Sequence, residues 1–191
     1  MALQAHAQDL YTSLLNAGLY PGVSPLIPED FTPKTELGIT YGDKDVTLGN
    51  LFRVSEVKSA PTISFAAEVS ASETTTYTLL HIDPDAPTPD DPKFAYWRHW
   101  VVTGLKPADG ISDAPALTAY LGPGPKDDSR PHRYLFLLFQ EPEGLSLSKE
   151  DVGGEEFVQR RSFQAADWVK ANGLELVGVN WMLGAGDGWS E

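Results

Sequence analysis

Two aspartates two positions apart are the residues of this chain that most clearly point to chemistry. Asp83 and Asp85 lie in segment 81–87 (HIDPDAP), directly after an apolar run. Side chains alternate along a strand, so both carboxylates would share one face if the strand geometry continued. Pro84 and Pro87 cannot donate to a strand ladder, which places the two acids at a rim outside it. Two like charges this close need a cation or a hydrogen-bond donor beside them, and histidine is the obvious candidate.

Two histidines at the start of other predicted strands could supply those donors. His99 lies in the aromatic, β-branched segment 96–102, and His132 stands near the start of the apolar run 131–139. A single strand histidine is more often a hydrogen-bonded core or edge residue than part of a site. Two of them, each beside an arginine or a tryptophan, can hold an anionic oxygen through imidazole N–H groups while aromatic rings wall the pocket. Together with the aspartates, they predict a site that recognises a small anion.

The elements that must position these residues are mostly strands. Apolar and β-branched runs predict strands at 37–41, 62–69, 76–83, 98–104, 133–140 and 174–181. Apolar spacing predicts a short helix over about 9–18 and a second helix over about 162–172. The acidic segment 141–156 and the Asp-Pro cluster 88–93 are expected to be surface loops. This surplus of strands favours a mostly β fold, an antiparallel sandwich with peripheral α-helices.

Three ordered motifs resemble those of a known family. They are 83–87 (DPDAP), the strand from Trp97 to Val102, and the glycine-proline loop that begins at Gly122 and ends in 132–134 (HRY). In this order they resemble the phosphatidylethanolamine-binding protein family, and the resemblance runs nearly from end to end. It implies a single domain over 1–191 with the antiparallel Greek-key β-sandwich of two sheets that this family has. The flanking segments are most similar to its fungal branch, which includes a carboxypeptidase Y inhibitor.

The resemblance also implies which residues line a small anion-binding pocket. They are Asp83, Asp85, His99, His132, Tyr134, Trp97, Pro84 and Pro125. Pockets of this family accept phosphate-like and carboxylate-like groups, including phospholipid head groups. The implied function is therefore that of a non-catalytic binding protein, whose surface inhibits a serine carboxypeptidase or a signalling kinase.

This chain departs from the family pattern in the loop before the second histidine. Where the family usually shows a Pro-Lys-Gly run, this chain has 126–130 (KDDSR). Asp127 and Asp128 are therefore expected beside the mouth of the pocket. Two extra negative charges there would weaken the binding of a dianion.

An enzymatic role stays open as an alternative. The sequence has no Gly-x-Ser-x-Gly elbow, no cysteine, no dinucleotide-binding glycine fingerprint and no phosphate-binding loop, so no cofactor is expected. Fungal relatives in secondary metabolism are thought to act on anhydride units, and a carboxylate-binding pocket with acid and base groups could do that chemistry. Two aspartates and two histidines could also ligate a divalent metal, although the HExxH-type spacing is missing.

Composition limits the partners and the location. The chain has 27 acidic and 14 basic residues, a formal net charge of −13, which argues against nucleic acid and against stable anchoring on an anionic membrane. The first nine residues lack the basic start and apolar core of a secretory signal, and no stretch has the roughly 20 apolar residues of a membrane span. We therefore expect a cytoplasmic protein that takes a single head group into a pocket.

Overall fold

The structure is a computed structural model that describes residues 2–20, 26–111 and 116–191, and these residues form two β-sheets and two α-helices. The strands are β1 (Gly38–Tyr41), β2 (Lys44–Asp45), β3 (Leu51–Arg53), β4 (Thr62–Phe65), β5 (Tyr77–Asp83), β6 (Trp97–Leu105), β7 (Ala108–Ile111), β8 (Ala116–Thr118), β9 (His132–Gln140) and β10 (Glu175–Ala185). The helices are α1 (Ala2–Asn16) and α2 (Ala165–Ala171), and short 3₁₀ turns cover Val54–Glu56, Glu150–Val152 and Phe157–Arg160.

The strands form one four-stranded and one six-stranded sheet. The strand order is β2-β1-β4-β7 in the smaller sheet and β3-β10-β9-β5-β6-β8 in the larger one. Neighbouring strands run antiparallel, apart from β3, which pairs in parallel with β10. The predicted two-sheet sandwich with peripheral helices is confirmed, and its parallel edge strand is a local departure from it.

An apolar core fills the space between the two sheets. Ile39 and Ile63 of the smaller sheet belong to the same buried cluster as Leu79, Phe136 and Leu138 of the larger one. Strands β1 and β4 alternate between buried and partly exposed residues, as expected where only one face is covered. The smaller sheet therefore covers one face of the larger sheet.

A second core covers the opposite face of the six-stranded sheet. Leu10 and Leu14 of α1 and Trp168 of α2 belong to one cluster with Leu80 and Leu137 of the sheet. All seven residues of β5 are buried. A strand that is covered on both faces consists mostly of consecutive apolar residues, and this explains the apolar runs in β5 and β9. The rigid centre of this sheet carries the candidate site at its end.

The helices begin at different residues from those predicted. Helix α1 begins at Ala2, well before residue 9, because its first two turns consist of good helix formers that bury little surface and leave no apolar period. It ends at Asn16, just before Gly18, whose φ is +64°. Helix α2 begins at Ala165, because Ser162 has a φ of +50° and donates its N–H to the Phe94 oxygen.

Four short strands were missed, and one predicted strand is shorter than expected. Strands β2, β3, β7 and β8 span two to four residues each, too few to show a period. Strand β4 ends at Phe65 and not at residue 69. The strands that lead into the candidate site lie within about one residue of their predicted bounds.

The two predicted loops lie at the surface, and the acidic one is fixed at its end. Segment 141–156 contains the short turn Glu150–Val152 and is mostly exposed or partly exposed. The buried Arg98 of β6 donates to the backbone oxygens of Val152 and Gly154, so this end of the segment is held against the sheet. Among the described residues, no helix is both long and apolar enough to cross a membrane.

Candidate functional site

A cavity of about 450 Å³ lies at one end of the six-stranded sheet. Its wall includes Asp83 from the end of β5, Trp97 and His99 from the start of β6, and His132 and Tyr134 from the start of β9. Because β5 runs antiparallel to both neighbours, its last residue lies beside their first residues. Five of the predicted site residues therefore lie around one space, which we call the histidine cavity.

Loops complete the wall of the histidine cavity. They contribute Ala86, Pro87, Phe94, Leu121, Gly122, Gly124, Pro125, Lys126, Phe157 and Arg161. Pro125 was predicted at the site, and Pro87 was expected to shape the exit from β5. The remaining loop residues had no predicted role. Most of this loop wall is apolar, and its two cations are Lys126 and Arg161.

Asp83 and His132 form a buried pair beside this cavity. His132 Nδ1 lies 2.9 Å from Asp83 Oδ2, and each side chain is 4% exposed. His132 Nε2 lies 3.1 Å from Ser129 Oγ. The Ser129 hydroxyl donates its only proton to the Arg130 backbone oxygen at 2.9 Å, so Ser129 accepts from His132. Both ring nitrogens of His132 are therefore committed to protein partners.

His99 has one nitrogen that no described protein group contacts. Its Nδ1 lies 2.6 Å from the Leu121 backbone oxygen, which can only accept, so Nδ1 carries the proton. Its Nε2 is buried and has no hydrogen-bond partner among the described residues. Burial lowers the pKa of His99 below its ordinary value, although the Asp83 charge and the Leu121 carbonyl act against this. At neutral pH, Nε2 is therefore an unprotonated acceptor.

Asp85 lies on the wall of a different cavity. Arg133 binds its carboxylate through Nη2 at 2.6 Å and Nε at 2.9 Å, and also through the backbone N–H at 2.8 Å. Together with Arg133 and Trp181, Asp85 lines a space of about 700 Å³ beside helix α1, which we call the helix cavity. The expectation that the two aspartates lie on one face is wrong, because the chain leaves the strand and turns at Pro84.

The expectation that both acids lie outside the strand ladder is wrong for Asp83, which is the last residue of β5 and pairs with Trp97. Asp83 and Asp85 are only 3% and 2% exposed. Pro84 is buried between them and, within the described residues, lines neither the histidine cavity nor the helix cavity. Each carboxylate instead contacts its own basic side chain, His132 for Asp83 and Arg133 for Asp85.

Comparison with known proteins agrees with this geometry. Residues 28–181 match the sequence pattern of the family described as phosphatidylethanolamine-binding protein. The chain belongs to the phosphatidylethanolamine-binding protein family. An uncharacterized protein of Saccharomyces cerevisiae is 31% identical over 164 residues, which are 78% of this chain and 80% of that protein.

Solved structures of the family share the fold. A carboxypeptidase Y inhibitor complexed with its cognate proteinase has a TM-score of 0.80 at 24% identity, covering 95% of this chain and 97% of its own. A phosphatidylethanolamine-binding protein from Plasmodium vivax has a TM-score of 0.75 at 26% identity, covering 92% of this chain and 97% of its own. At 24% identity the inhibitor shows a shared fold, and the yeast protein is a fungal relative of this chain.

The loop in which this chain departs from the family contributes a cation, and neither of its acids, to the cavity wall. Asp127 accepts a hydrogen bond from the Gly188 backbone N–H at 3.0 Å, and Asp128 is exposed. Of residues 126–130, it is Lys126 that lies on the wall of the histidine cavity. Arg130 instead pairs with Asp90 at 2.5 Å, outside this cavity. The extra acids therefore leave the cavity wall itself positive.

Arg161 is a cavity residue that the sequence analysis missed. Its guanidinium carbon lies 4.6 Å from the ring centre of Phe94, 5.5 Å from that of Phe157 and 5.7 Å from that of Trp97. Its neighbour Arg160 is buried and donates to the backbone oxygens of His99 and Ala119. Because Arg160 and Arg161 are adjacent and identical in type, the sequence does not indicate which of them supports the sheet and which lines the cavity.

Two aromatic side chains complete the polar part of the site. The Trp97 Nε1 atom is buried and has no hydrogen-bond partner among the described residues. The Tyr134 ring stacks on His132 with centroids 6.0 Å apart. Burial, followed by the charges of Asp83 and Asp85, raises the pKa of Tyr134 well above its ordinary value, so its hydroxyl stays protonated.

The packing of Tyr134 requires a glycine on the neighbouring strand. A Cβ at Gly184 of β10 would lie 2.5 Å from Tyr134 Cε2, closer than two carbon atoms can approach. Two aspartates and two histidines could also ligate a divalent metal. Among the described residues, no group of three or more His, Asp or Glu side chains is arranged to hold a metal ion.

Proposed function

We propose that this chain is a cytoplasmic binding protein that holds the phosphate or carboxylate group of a small ligand in the histidine cavity. The observation that carries this proposal is the state of His99. The residue is 5% exposed, lines the cavity, and keeps its Nε2 atom without a partner among the described residues. Buried polar atoms nearly always have a hydrogen-bond partner, so this nitrogen is suited to contact a bound molecule.

The charges around the cavity support an acidic ligand. The Asp83 oxygens accept from His132 Nδ1 at 2.9 Å and from the Asp85 N–H at 2.6 Å, so each already has a donor within the protein. Lys126 and Arg161 add two positive charges to the wall. A positive cavity in a chain with a net charge of −13 attracts an anion locally, although the protein as a whole repels it.

Calorimetric titration with inorganic phosphate at pH 7 tests the proposal. Wild-type protein should bind phosphate saturably, and His99→Phe should weaken binding about tenfold or more, the size of one lost hydrogen bond to a charged group. His6→Phe is the matched control, because His6 lies on α1 and outside the histidine cavity. No saturable binding to wild type, or equal loss in both folded variants, would contradict the proposal.

Inhibition of a serine carboxypeptidase is a second candidate function. The fold similarity to the carboxypeptidase Y inhibitor extends over 95% of this chain. Helix α1 exposes Leu3, Tyr11 and Leu15, which leaves apolar side chains available to a partner. Removal of residues 1–8 takes away Leu3 but keeps Leu10 and Leu14, which anchor the helix on the sheet. The intact chain should inhibit the protease more strongly than this truncated chain, and an intact chain that does not inhibit would exclude the role.

Catalysis on anhydride or carboxylate substrates is the enzymatic alternative. It is favoured by the unprotonated Nε2 of His99, which could act as a general base within the cavity. The chain should then accelerate the hydrolysis of maleic anhydride above the rate in buffer, and folded His99→Gln and Asp83→Asn variants should lose the acceleration. A wild-type rate equal to that of buffer would leave binding as the function.

A further inference from the structure

Two cationic residues, Lys126 and Arg161, lie on the wall of the histidine cavity. We propose that Arg161 is the specificity-determining residue of this cavity, and that its ligand is an acid carried on an apolar body without a cationic group. The proposal rests on the anion-binding function proposed above and narrows its ligand class. It separates this chain from a receptor for zwitterionic head groups such as phosphoethanolamine.

Three aromatic rings hold the Arg161 guanidinium in place. The rings of Phe94, Trp97 and Phe157 lie 4.6, 5.7 and 5.5 Å from its central carbon. Trp97 and Phe157 also contact each other edge to face, with centroids 4.8 Å apart. Contacts to ring faces leave the N–H groups in the guanidinium plane available. The rings therefore preorganise a cation without using its hydrogen-bond donors.

The backbone beside Arg161 is tied to the loop that carries Phe94. Ser162 donates its N–H to the Phe94 oxygen at 3.1 Å, and Phe163 donates to the Tyr96 oxygen at 2.9 Å. Ser162 adopts a φ of +50°, which is uncommon for a residue with a side chain. These contacts fix the position of Arg161 relative to the start of β6, where Trp97 and His99 lie.

The Arg161 guanidinium has N–H donors but no acidic partner among the described residues. Its Nε atom is buried without a hydrogen-bond partner, and among the described residues no acid lies within salt-bridge distance of Arg161 or Lys126. By contrast, Arg130 pairs with Asp90 and Arg133 with Asp85. In a chain with 27 acidic residues, two unpaired cations on one cavity wall point to an anionic ligand.

Among the described residues, the wall of the cavity offers a cationic group one carboxylate, that of Asp83. Asp83 is the acid that lines the cavity, and its two oxygens accept from His132 Nδ1 at 2.9 Å and from the Asp85 N–H at 2.6 Å. An ammonium group would compete with these two donors for the carboxylate and would lie near Arg161 and Lys126, which repel it. An apolar body would instead contact the loop wall formed by Ala86, Pro87, Leu121 and Pro125.

Two phosphate monoesters that differ in this one property test the proposal. Phenyl phosphate carries an apolar ring, and O-phosphoethanolamine carries an ammonium group on the same kind of phosphate. Calorimetry at pH 7 should give wild-type protein at least about tenfold higher affinity for phenyl phosphate. Arg161→Gln should lower that affinity about tenfold or more, and Arg161→Lys should lower it less, because Lys keeps the charge but not the planar group.

Arg130→Gln is the matched control. It removes the same charge from an exposed arginine that lines the helix cavity and pairs with Asp90. Circular dichroism and thermal unfolding establish that each variant is folded. If both esters bind wild type equally, or if Arg161→Gln binds like Arg130→Gln, the role of Arg161 is excluded while anion binding stands. If wild type binds neither ester nor inorganic phosphate, the proposed function fails as well.

Discussion

His99 Nδ1 lies 2.6 Å from the Leu121 backbone oxygen, and this contact determines the chemistry of the histidine cavity. A carbonyl oxygen only accepts, so the ring proton resides on Nδ1 and the lone pair on Nε2. His132 also stands near the start of its strand, but its two ring nitrogens form hydrogen bonds with Asp83 and Ser129. The two histidines therefore differ: both ring nitrogens of His132 have protein partners, whereas Nε2 of His99 has none among the described residues.

Phosphate ester binding should be linked to the uptake of a proton. The second pKa of a phosphate monoester is about 6, so above pH 7 the ester is a dianion without an O–H donor. Burial lowers the pKa of His99, so Nε2 is also unprotonated there. The hydrogen bond between them needs one proton, and affinity for phenyl phosphate should fall by up to about tenfold per pH unit above pH 7.

Calorimetry at pH 8 in two buffers with different ionisation enthalpies measures this proton directly. Wild type should take up close to one proton for each phenyl phosphate bound. His99→Gln should take up much less, because its amide can donate without a change of protonation. Binding without proton uptake in wild type would show that Nε2 does not contact the phosphate.

His81 should make the fold sensitive to acid. It is fully buried, stacks on Phe136 at 4.1 Å, and has no hydrogen-bond partner for either ring nitrogen among the described residues. Burial, with a smaller contribution from His99, lowers its pKa well below the ordinary value. The unfolded chain therefore binds a proton near pH 6.5 that the folded chain does not, and the free energy of unfolding should decrease as pH falls below about 6.5.

Urea unfolding of wild type and His81→Phe at pH 7.5 and pH 5 checks this effect. The variant should lose less stability between the two pH values than wild type does. At pH 7.5 the free energy of unfolding of the variant should equal that of wild type or exceed it by up to roughly 1 kcal/mol. The reason is that the two buried nitrogens that it removes make no hydrogen bonds among the described residues. An identical loss of stability in both proteins would assign the acid sensitivity to other groups.

Arg98→Met should destabilise the fold without changing the cavity wall. Arg98 is fully buried and donates to the backbone oxygens of Val152 and Gly154. Burial, together with the charge of Arg160, lowers its pKa to about 10, so it is still charged at neutral pH. Its loss leaves buried acceptors without donors and should lower the free energy of unfolding by about 2–4 kcal/mol in urea titrations. A change below about 0.5 kcal/mol, the usual range for a surface substitution, would contradict its anchoring role.

Gly184→Ala should displace Tyr134. The new Cβ would lie 2.5 Å from Tyr134 Cε2, so the ring or strand β10 must move, at a cost of roughly 1–3 kcal/mol in the free energy of unfolding. Phosphate affinity should fall as well, because Tyr134 lines the histidine cavity and stacks on His132. Gly178→Ala on the same strand is the control, since its nearest contact would be 3.3 Å. Equal effects of both substitutions would show that the Tyr134 ring adapts freely.

The sequence predicted the part of the site that depends on strand pairing. Asp83 ends one apolar run while His99 and His132 stand near the start of two others, and antiparallel pairing brings such ends together. Asp85 was placed wrongly because its side chain depends on how the chain turns after Asp83. Period-two alternation does not extend beyond the strand, and Arg133 holds the Asp85 carboxylate on the other side.

Arg161 could not be placed from its local sequence. Its position depends on contacts to Phe94 and Trp97, more than sixty residues earlier in the chain, and on the backbone bond from Ser162 to Phe94. The start of helix α1 was missed for a different reason. Its first turns pack against little of the protein and therefore show no apolar period. Long-range packing decides the position of Arg161, and no pattern along the chain contains it.

A nitrogen-detected NMR spectrum of the histidine rings, recorded before and during titration with inorganic phosphate at pH 7, tests the role of His99 most directly. We expect His99 to be protonated on Nδ1 and not on Nε2 in the free protein. We also expect its Nε2 signal to shift saturably as phosphate binds, in wild type and in His6→Phe. A His99 ring protonated on Nε2 in the free protein, or an Nε2 signal unchanged at saturating phosphate, would show that this nitrogen does not receive the ligand.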